Sequence, residues 1–472
     1  MITSRNEAGI AHVLRMLQQE FGKRLQTNPS SCEQHGHTTT WLCNQPPDGV
    51  IYPHSTDEVA KIVTLCEHHS VPIIPYGTGT SLEGQVNAPV GGITIDLTHM
   101  NQILSVYPED LQVVVQPGVT REQLNVYLRE QGLFFPVDPG ADASLGGMTA
   151  TRASGTNAVL YGTMKDNVIG LELVTAGGAI IRTANRAKKS AAGYDLTQLI
   201  VGSEGTLGVI TEITLRLRGI PEAVASAVWM FPSVSAACEV TIQAIQSGLR
   251  IARIELVDQL TVSAINAYSK LALPEMTSLL LEFHGTEAAV EEQQTSFREI
   301  TEAFLGEKDS STVGAEERNK LWKARHNAYW AIRALQPGTQ AFVTDVCVPI
   351  SRLAECVKAA HRRLNDMNLI GPIAGHVGDG NFHCALLFDP EDSDEQSRAE
   401  EFVGWLNELA ISMDGTCTGE HGIGQGKIAY LEKELGPATD LMRSIKTALD
   451  PKQIFNPNKI FSQPVAQGED GP

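Results

Sequence analysis

His376 and His383 are separated by six residues in Gly375-His-Val-Gly-Asp-Gly-Asn-Phe-His-Cys384. Gly378 and Gly380 oppose a helix, and Gly-Asp-Gly-Asn is a strong turn signal. A four-residue hairpin loop at 378–381 predicts that Val377 pairs with Phe382 and His376 with His383. Cross-strand partners stand roughly 5 Å apart at Cβ, close enough for two imidazoles to share one metal ion. A third ligand is available in Thr416-Cys-Thr-Gly-Glu-His-Gly-Ile-Gly424, where glycines flank Glu420 and His421. Two histidines and a carboxylate suit Zn²⁺, Mn²⁺ or Fe²⁺ and leave coordination positions open. Two core histidines and a surface Glu fit the same spacing, so both readings stand at this point.

A second kind of chemistry lies in the glycines. Pro75-Tyr-Gly-Thr-Gly-Thr-Ser-Leu-Glu-Gly-Gln85 follows a strand signal and offers N–H groups and hydroxyls able to ring a pyrophosphate. It lacks both the G-x-G-x-x-G fingerprint and the Gly-Lys-Ser/Thr of a P-loop, so a plain tight turn explains it equally well in isolation. Two more segments of similar composition follow. Phe135-Pro-Val-Asp-Pro-Gly-Ala-Asp-Ala-Ser-Leu-Gly-Gly147 leads into Ala153-Ser-Gly-Thr-Asn-Ala158, and Gly202-Ser-Glu-Gly-Thr-Leu-Gly-Val-Ile-Thr211 closes the region. Three such segments can wrap a long phosphate-bearing cofactor.

These motifs, with Lys189-Ser-Ala-Ala-Gly-Tyr194, resemble the FAD-binding domain of the vanillyl-alcohol-oxidase/PCMH superfamily over about Pro46 to Leu217. The chain as a whole resembles the D-lactate dehydrogenase (cytochrome) subgroup. The resemblance implies an α+β fold: a PCMH-type FAD-binding domain, a ferredoxin-like α+β substrate (cap) domain and a C-terminal helical segment. The corresponding boundaries are an N-terminal helical segment at 1–45, the FAD domain at 46–220, the cap carrying the metal site at 221–425, and a return to the FAD domain at 426–472.

FAD contacts implied in this way are Pro75, Tyr76, Gly77, Thr78, Gly79, Thr80, Ser81, Gly84 and Gln85 in the first loop. Asp138, Pro139, Ser144, Gly146, Gly147, Thr149, Ser154, Gly155 and Thr156 follow, then Glu204, Gly205, Gly208, Ile210 and Asn458. Some superfamily members attach FAD through a His in the glycine loop. Tyr76–Gln85 contains no His or Cys, so FAD is expected to be non-covalent.

The resemblance assigns the divalent metal, with zinc or manganese as candidates, to His376, His383 and Glu420, and the general base to His421. An unperturbed imidazole pKa near 6.5 suits that task. Arg325, in Asn319-Lys-Leu-Trp-Lys-Ala-Arg-His-Asn-Ala-Tyr-Trp330, reads by itself as a solvated helical residue. The family's Leu-Trp-x-x-Arg context instead places it on a substrate carboxylate, with Asn381 a weaker substrate contact. The implied reaction oxidises a D-2-hydroxy acid, D-lactate first among them. His421 takes the hydroxyl proton while hydride leaves C2 for flavin N5.

Glycolate and D-2-hydroxyglutarate dehydrogenases are near alternatives. A flavin-free metallohydrolase and a non-catalytic metal-binding protein are more distant ones. The electron acceptor is cytochrome c, a quinone, an electron-transfer flavoprotein or an iron–sulfur subunit. A cytoplasmic location peripheral to the inner membrane and a homodimer are compatible with the family. Arg152 replaces an expected small residue, placing it either on FAD phosphates or in solvent, and the loop at Ala184–Lys189 is short.

The elements that must position these groups alternate strand and helix. Val50–Tyr52, Val71–Pro75, Ile93–Leu97 and Val113–Gln116 read as strands, with helices at Thr56–His69 and Thr120–Gln131. Beyond a boundary near Pro221, helices are expected at Val234–Ser247 and Glu316–Leu335, and strands at Leu279–Phe283 and Val343–Val348. Ile10, Val13, Leu14 and Leu17 give the N-terminal helix one apolar face, with no signal- or transit-peptide pattern. The tail from Pro464 reads as disordered.

A chain of 472 residues needs more than one core. No run approaches the roughly 20 apolar residues of a membrane span. A net charge of −19 opposes a nucleic-acid partner. Eight scattered cysteines without a C-x-x-C pair read as reduced intracellular thiols.

Overall fold

The computed structural model describes residues 5–37, 40–309 and 314–461; the tail expected to be disordered lies outside them. Apolar β-branched runs Gly49–Ile51, Ile93–Asp96 and Ile73–Tyr76 form a parallel sheet, with Leu25–Gln26 added antiparallel at one edge. Such strands are buried on both faces. Thr56–His68 is the crossover helix, its first turn capped by Ser55, and Glu7–Phe21 packs Ile10, Val13, Leu17 and Phe21 into the same core. The glycine-rich loop leaves the carboxyl end of Ile73–Tyr76, where open α/β sheets place ligands.

A second sheet, fully antiparallel, runs in the order Ile103–Tyr107, Gln112–Val115, Val209–Arg216, Val168–Val174 and Ile180–Arg182. Its inner face holds Val113, Val115, Leu171, Leu173, Ile213 and Leu215 against the short helix Leu145–Thr151, which follows the second glycine-rich segment.

The second half builds one antiparallel sheet. Glu307–Asp309, Ala223–Phe231, Thr277–Gly285 and Ile251–Val257 lie in a ferredoxin-like order, extended by Ile373–Gly375, Asn381–Phe388 and Gln340–Val343. Period-two alternation serves both faces of this sheet. In Thr277–Gly285, Leu279, Leu281 and Phe283 enter one core, while Leu280 enters the other. The C-terminal segment returns to the first half: Ile73 donates to Ile454 O and accepts from Asn456 N, and Phe455 is fully buried there.

Three expectations about local structure are corrected. The 376–383 hairpin pairs Ala374 with His383 and Ile373 with Cys384, so neither His376 with His383 nor Val377 with Phe382 is a ladder pair. A 3₁₀ turn, Val377–Asp379, and left-handed Gly380 (φ 82°) take up the extra length, leaving His376 just beyond the strand end. The helix expected over Glu316–Leu335 breaks at Asn327 into Ala315–His326 and Ala328–Arg333. The strand expected over Val343–Val348 is interrupted by Thr344 and Asp345, which turn inward to the site. No helix among the described residues is long and apolar enough to cross a membrane.

Candidate active site

Five segments of the second half converge on one buried cluster. Asp345, fully buried, organises it. One carboxylate oxygen accepts from Thr418 Oγ1 (2.8 Å), Glu420 N (2.9 Å) and His421 N (2.7 Å), and the other accepts from Asn381 Nδ2 (3.0 Å). Asp345 thus fixes the loop that presents Glu420 and His421. Asn381 also donates to Val346 O (2.9 Å), so its amide nitrogen is committed to the scaffold.

Around Glu420 stand the imidazoles. His376 Nε2 lies 3.1 Å and His383 Nε2 3.5 Å from Glu420 Oε1, and the His376 and His383 rings are 5.5 Å apart. His421 stacks parallel to His383 at 5.2 Å. Asp345, His383, Glu420 and His421 each bring one ligand atom within 4.8 Å of the others, and His376 reaches the group through Glu420. Asp345 Oδ2 already accepts three hydrogen bonds and Oδ1 one, which leaves the imidazoles and Glu420 the freer metal ligands. This donor set fits a divalent ion of borderline hardness.

The electrostatics follow from burial opposed by charge. Burial pushes the Glu420 carboxyl up, but His376 and His383 beside it hold it well below the usual range. Burial pushes His376 down, and Glu255 and Glu420 more than reverse this. His421 is likewise lowered by burial yet ends raised, because Asp345 and Glu83 face it. Glu83 Oε1 is 3.7 Å from His421 Nδ1 and 3.1 Å from buried Lys427 Nζ.

Next to this cluster lies Arg325, buried at the end of Ala315–His326. Its Nη2 is 2.6 Å from Glu255 Oε2, and Glu255 Oε1 is 2.7 Å from His376 Nδ1. Nε and Nη2 of Arg325 are buried without a hydrogen bond, so the edge that grips carboxylates side-on keeps its donors.

The glycine-rich segments form a narrow cleft lined by Pro75, Tyr76, Gly77, Ser144, Gly146, Gly147, Gly205, Gly208 and Ile210, all of them sequence-predicted, with Leu97, Pro117 and Ala150 added. A Cβ at Gly77 would collide with Ser144 Oγ, and one at Gly146 with Pro117. Thr78 Oγ1 accepts from Ser144 N (3.3 Å), while Ser81 Oγ is buried without a partner. Glycines, hydroxyls and a buried unpaired donor fit a flavin dinucleotide.

Other predicted contacts are committed within the protein. Thr149 donates to Leu145 O and Thr156 to Asp138, and Gln85 donates to His421 O. Glu204 accepts from Ile423 N and Gly424 N, and burial pushes its carboxyl up to about 7. Gly155 packs on Asp138, Asn458 adopts a left-handed turn (φ 62°), and Ser154 is buried. Pro139, Gly79, Thr80 and Gly84 lie on the flanking loops. Of the two places expected for Arg152, the structure favours solvent, since the residue is exposed. At φ 57° it ends Leu145–Thr151, and its guanidinium donates to Val201 O.

Asp345, Glu255, Glu83 and Lys427 escaped the sequence reading. Glu255 had a signal: a carboxylate inside the apolar strand Ile251–Val257 must find a partner.

Residues 47–184 match the FAD binding domain family, and residues 220–460 match the family of FAD linked oxidases, C-terminal domain. The chain belongs to the FAD-linked oxidases. Within that family it is 51% identical to a probable mitochondrial D-lactate dehydrogenase of Danio rerio, over 91% of this chain and 87% of that protein. It is 48% identical to the mitochondrial D-lactate dehydrogenase [cytochrome] of Arabidopsis thaliana (88% and 73% covered). Identity to the glycolate oxidase subunit GlcD of Bacillus subtilis is 37% (88% and 89% covered). p-Cresol methylhydroxylase shares the fold, with a TM-score of 0.81 over 97% of both chains at 17% identity. The expected PCMH-type architecture is therefore present.

Proposed function

We propose that this chain is an FAD-dependent dehydrogenase of D-2-hydroxy acids, with D-lactate as substrate. The observation that carries the reading is the line Arg325–Glu255–His376–Glu420. It sets a buried guanidinium with unfilled donors beside an imidazole–carboxylate cluster. The relatives named D-lactate dehydrogenase support the choice of acid.

Residues Gly77–Ser81, Ser144, Gly146, Gly147, Gly205 and Gly208 would hold FAD, which when bound accepts the two electrons of the oxidation. His376, His383 and Glu420 would hold a divalent ion, whose Lewis acidity eases loss of the C2 hydroxyl proton. Arg325 binds the substrate carboxylate through its side-on edge. His421, made more basic by Asp345 and Glu83, takes the hydroxyl proton. The product is the 2-oxo acid, and an acceptor other than a nicotinamide reoxidises the protein. Gln85 and Glu204 tie the flavin loops to His421 O, Ile423 N and Gly424 N, which sets the base against the cofactor cleft.

A panel of D- and L-lactate, glycolate and D-2-hydroxyglutarate with an artificial electron acceptor tests the assignment. D-Lactate should give the highest kcat/KM, and chelation should abolish turnover. Preference for glycolate would move the chain to the chemistry named for its Bacillus relative, and preference for an L-acid would reject the stereochemistry.

A further inference from the structure

We infer that Glu255 is a positioning residue that sets both halves of this site, His376 through one carboxylate oxygen and Arg325 through the other. The inference rests on the function proposed above. Glu255 is 1% exposed, on a strand flanked by Thr277–Gly285 and Ile373–Gly375, so its backbone cannot drift. Oε1 lies 2.7 Å from His376 Nδ1 and Oε2 lies 2.6 Å from Arg325 Nη2.

The two contacts do different work. A carboxylate on Nδ1 fixes that nitrogen as the donor, so Nε2, 3.1 Å from Glu420 Oε1, is the nitrogen left to a metal ion that Glu420 would share. Carboxylates behind metal-ligating histidines act in this way. The Arg325 contact is an ion pair without an angled hydrogen bond, since neither Glu255 Oε2 nor Arg325 Nη2 has a hydrogen-bond partner. It fixes where the guanidinium stands without consuming the donors a substrate carboxylate needs. One side chain therefore registers the carboxylate grip against the metal position, a distance a small 2-hydroxy acid must bridge.

The test compares wild type with Glu255→Gln and Glu255→Ala in the flavin-loaded protein. It measures Mn²⁺ and Zn²⁺ affinity by competition with a chromogenic chelator, and KM and kcat for D-lactate. Gln keeps an oxygen for His376 Nδ1–H but removes the charge beside Arg325. Glu255→Gln should hold metal near the wild-type affinity while KM rises about tenfold, the size of a lost charged contact. Glu255→Ala should raise KM and also lower metal affinity by about 10- to 100-fold.

Wild-type KM in Glu255→Gln overturns the Arg325 half, and wild-type metal affinity in Glu255→Ala overturns the His376 half. Should the Ala variant fail to fold, Glu255→Asp, with its charge drawn back by one methylene, must show the loss of metal affinity. Unchanged affinity there overturns the same half. A wild-type protein that binds neither metal, or oxidises no 2-hydroxy acid, overturns the proposed function and this inference with it. An active wild type with unaltered variants overturns the inference alone.

Discussion

Arg325 concentrates the chemistry of the site. A buried guanidinium is costly unless paired, and Glu255 supplies the charge while leaving Nε and Nη2 without hydrogen bonds. Lysine would keep the charge but lose the planar fork. Arg325→Lys should therefore lower kcat/KM for D-lactate by about 100-fold, corresponding to about 2–3 kcal/mol of charge-assisted hydrogen bonding, with flavin content unchanged. Steady-state kinetics check this, and near-wild-type kcat/KM would remove Arg325 from the substrate. At this scale the sequence was readable where residue types cluster: His376, His383, Glu420 and His421 stand in glycine-flanked motifs. Asp345 and Lys427 were not, because single charges gain meaning only when folding brings them against His421 and Glu83.

Elements of the two halves meet through Asp138. It accepts from Thr156 and Asn157 N on its own side, and from Arg253 Nη2 (3.0 Å) across the junction, with His326 at 3.7 Å. Arg253 also donates to Asn157 Oδ1 and lies 4.6 Å over the Trp322 ring. Arg253 and His326 neighbour Glu255 and Arg325 in sequence, so this junction locates the site's own strand and helix. Burial pushes the Asp138 carboxyl up, but Arg253 and His326 bring it down to about 2, from an ordinary 3.8.

A depressed carboxylate contributes stability that is complete above its unfolded pKa and lost as pH falls through the folded one. The contribution here is about 2 kcal/mol. In thermal melts, the gap between wild type and Asp138→Asn should narrow as pH falls from about 5 toward 2, because both end without the charge. A gap independent of pH would contradict the ion pair. Element existence was legible from hydrophobic period, as in Thr56–His68 and Val234–Gln246. The 376–383 register was not, because a 3₁₀ turn closed by left-handed Gly380 replaces the simple four-residue loop.

Over the whole molecule, two layered units are held together by returning chain. Phe455 packs beside Ile73 at the root of the glycine loop, and Asn456 Nδ2 donates to Gln85 O and Glu204 O. The loop bearing Glu420 and His421 is therefore held by the second half through Asp345 and by the glycine-rich segments of the first half through Gln85 and Glu204. The alternation of αβ elements and the three glycine-rich segments made the first unit legible. The strands Ile251–Val257 and Val168–Val174 went unread, because Arg253, Glu255 and Glu172 interrupt their apolar runs and find their partners only once the chain is folded.

The proposed function requires proton removal from the C2 hydroxyl and electron acceptance from C2 to act on one substrate. The most direct measurement is anaerobic addition of D-lactate to the flavin-loaded protein with no other acceptor present. The visible flavin absorbance should bleach and one pyruvate should form per flavin, while L-lactate leaves the spectrum unchanged. An unbleached spectrum with D-lactate, or equal bleaching by the L-acid, would contradict the proposed function.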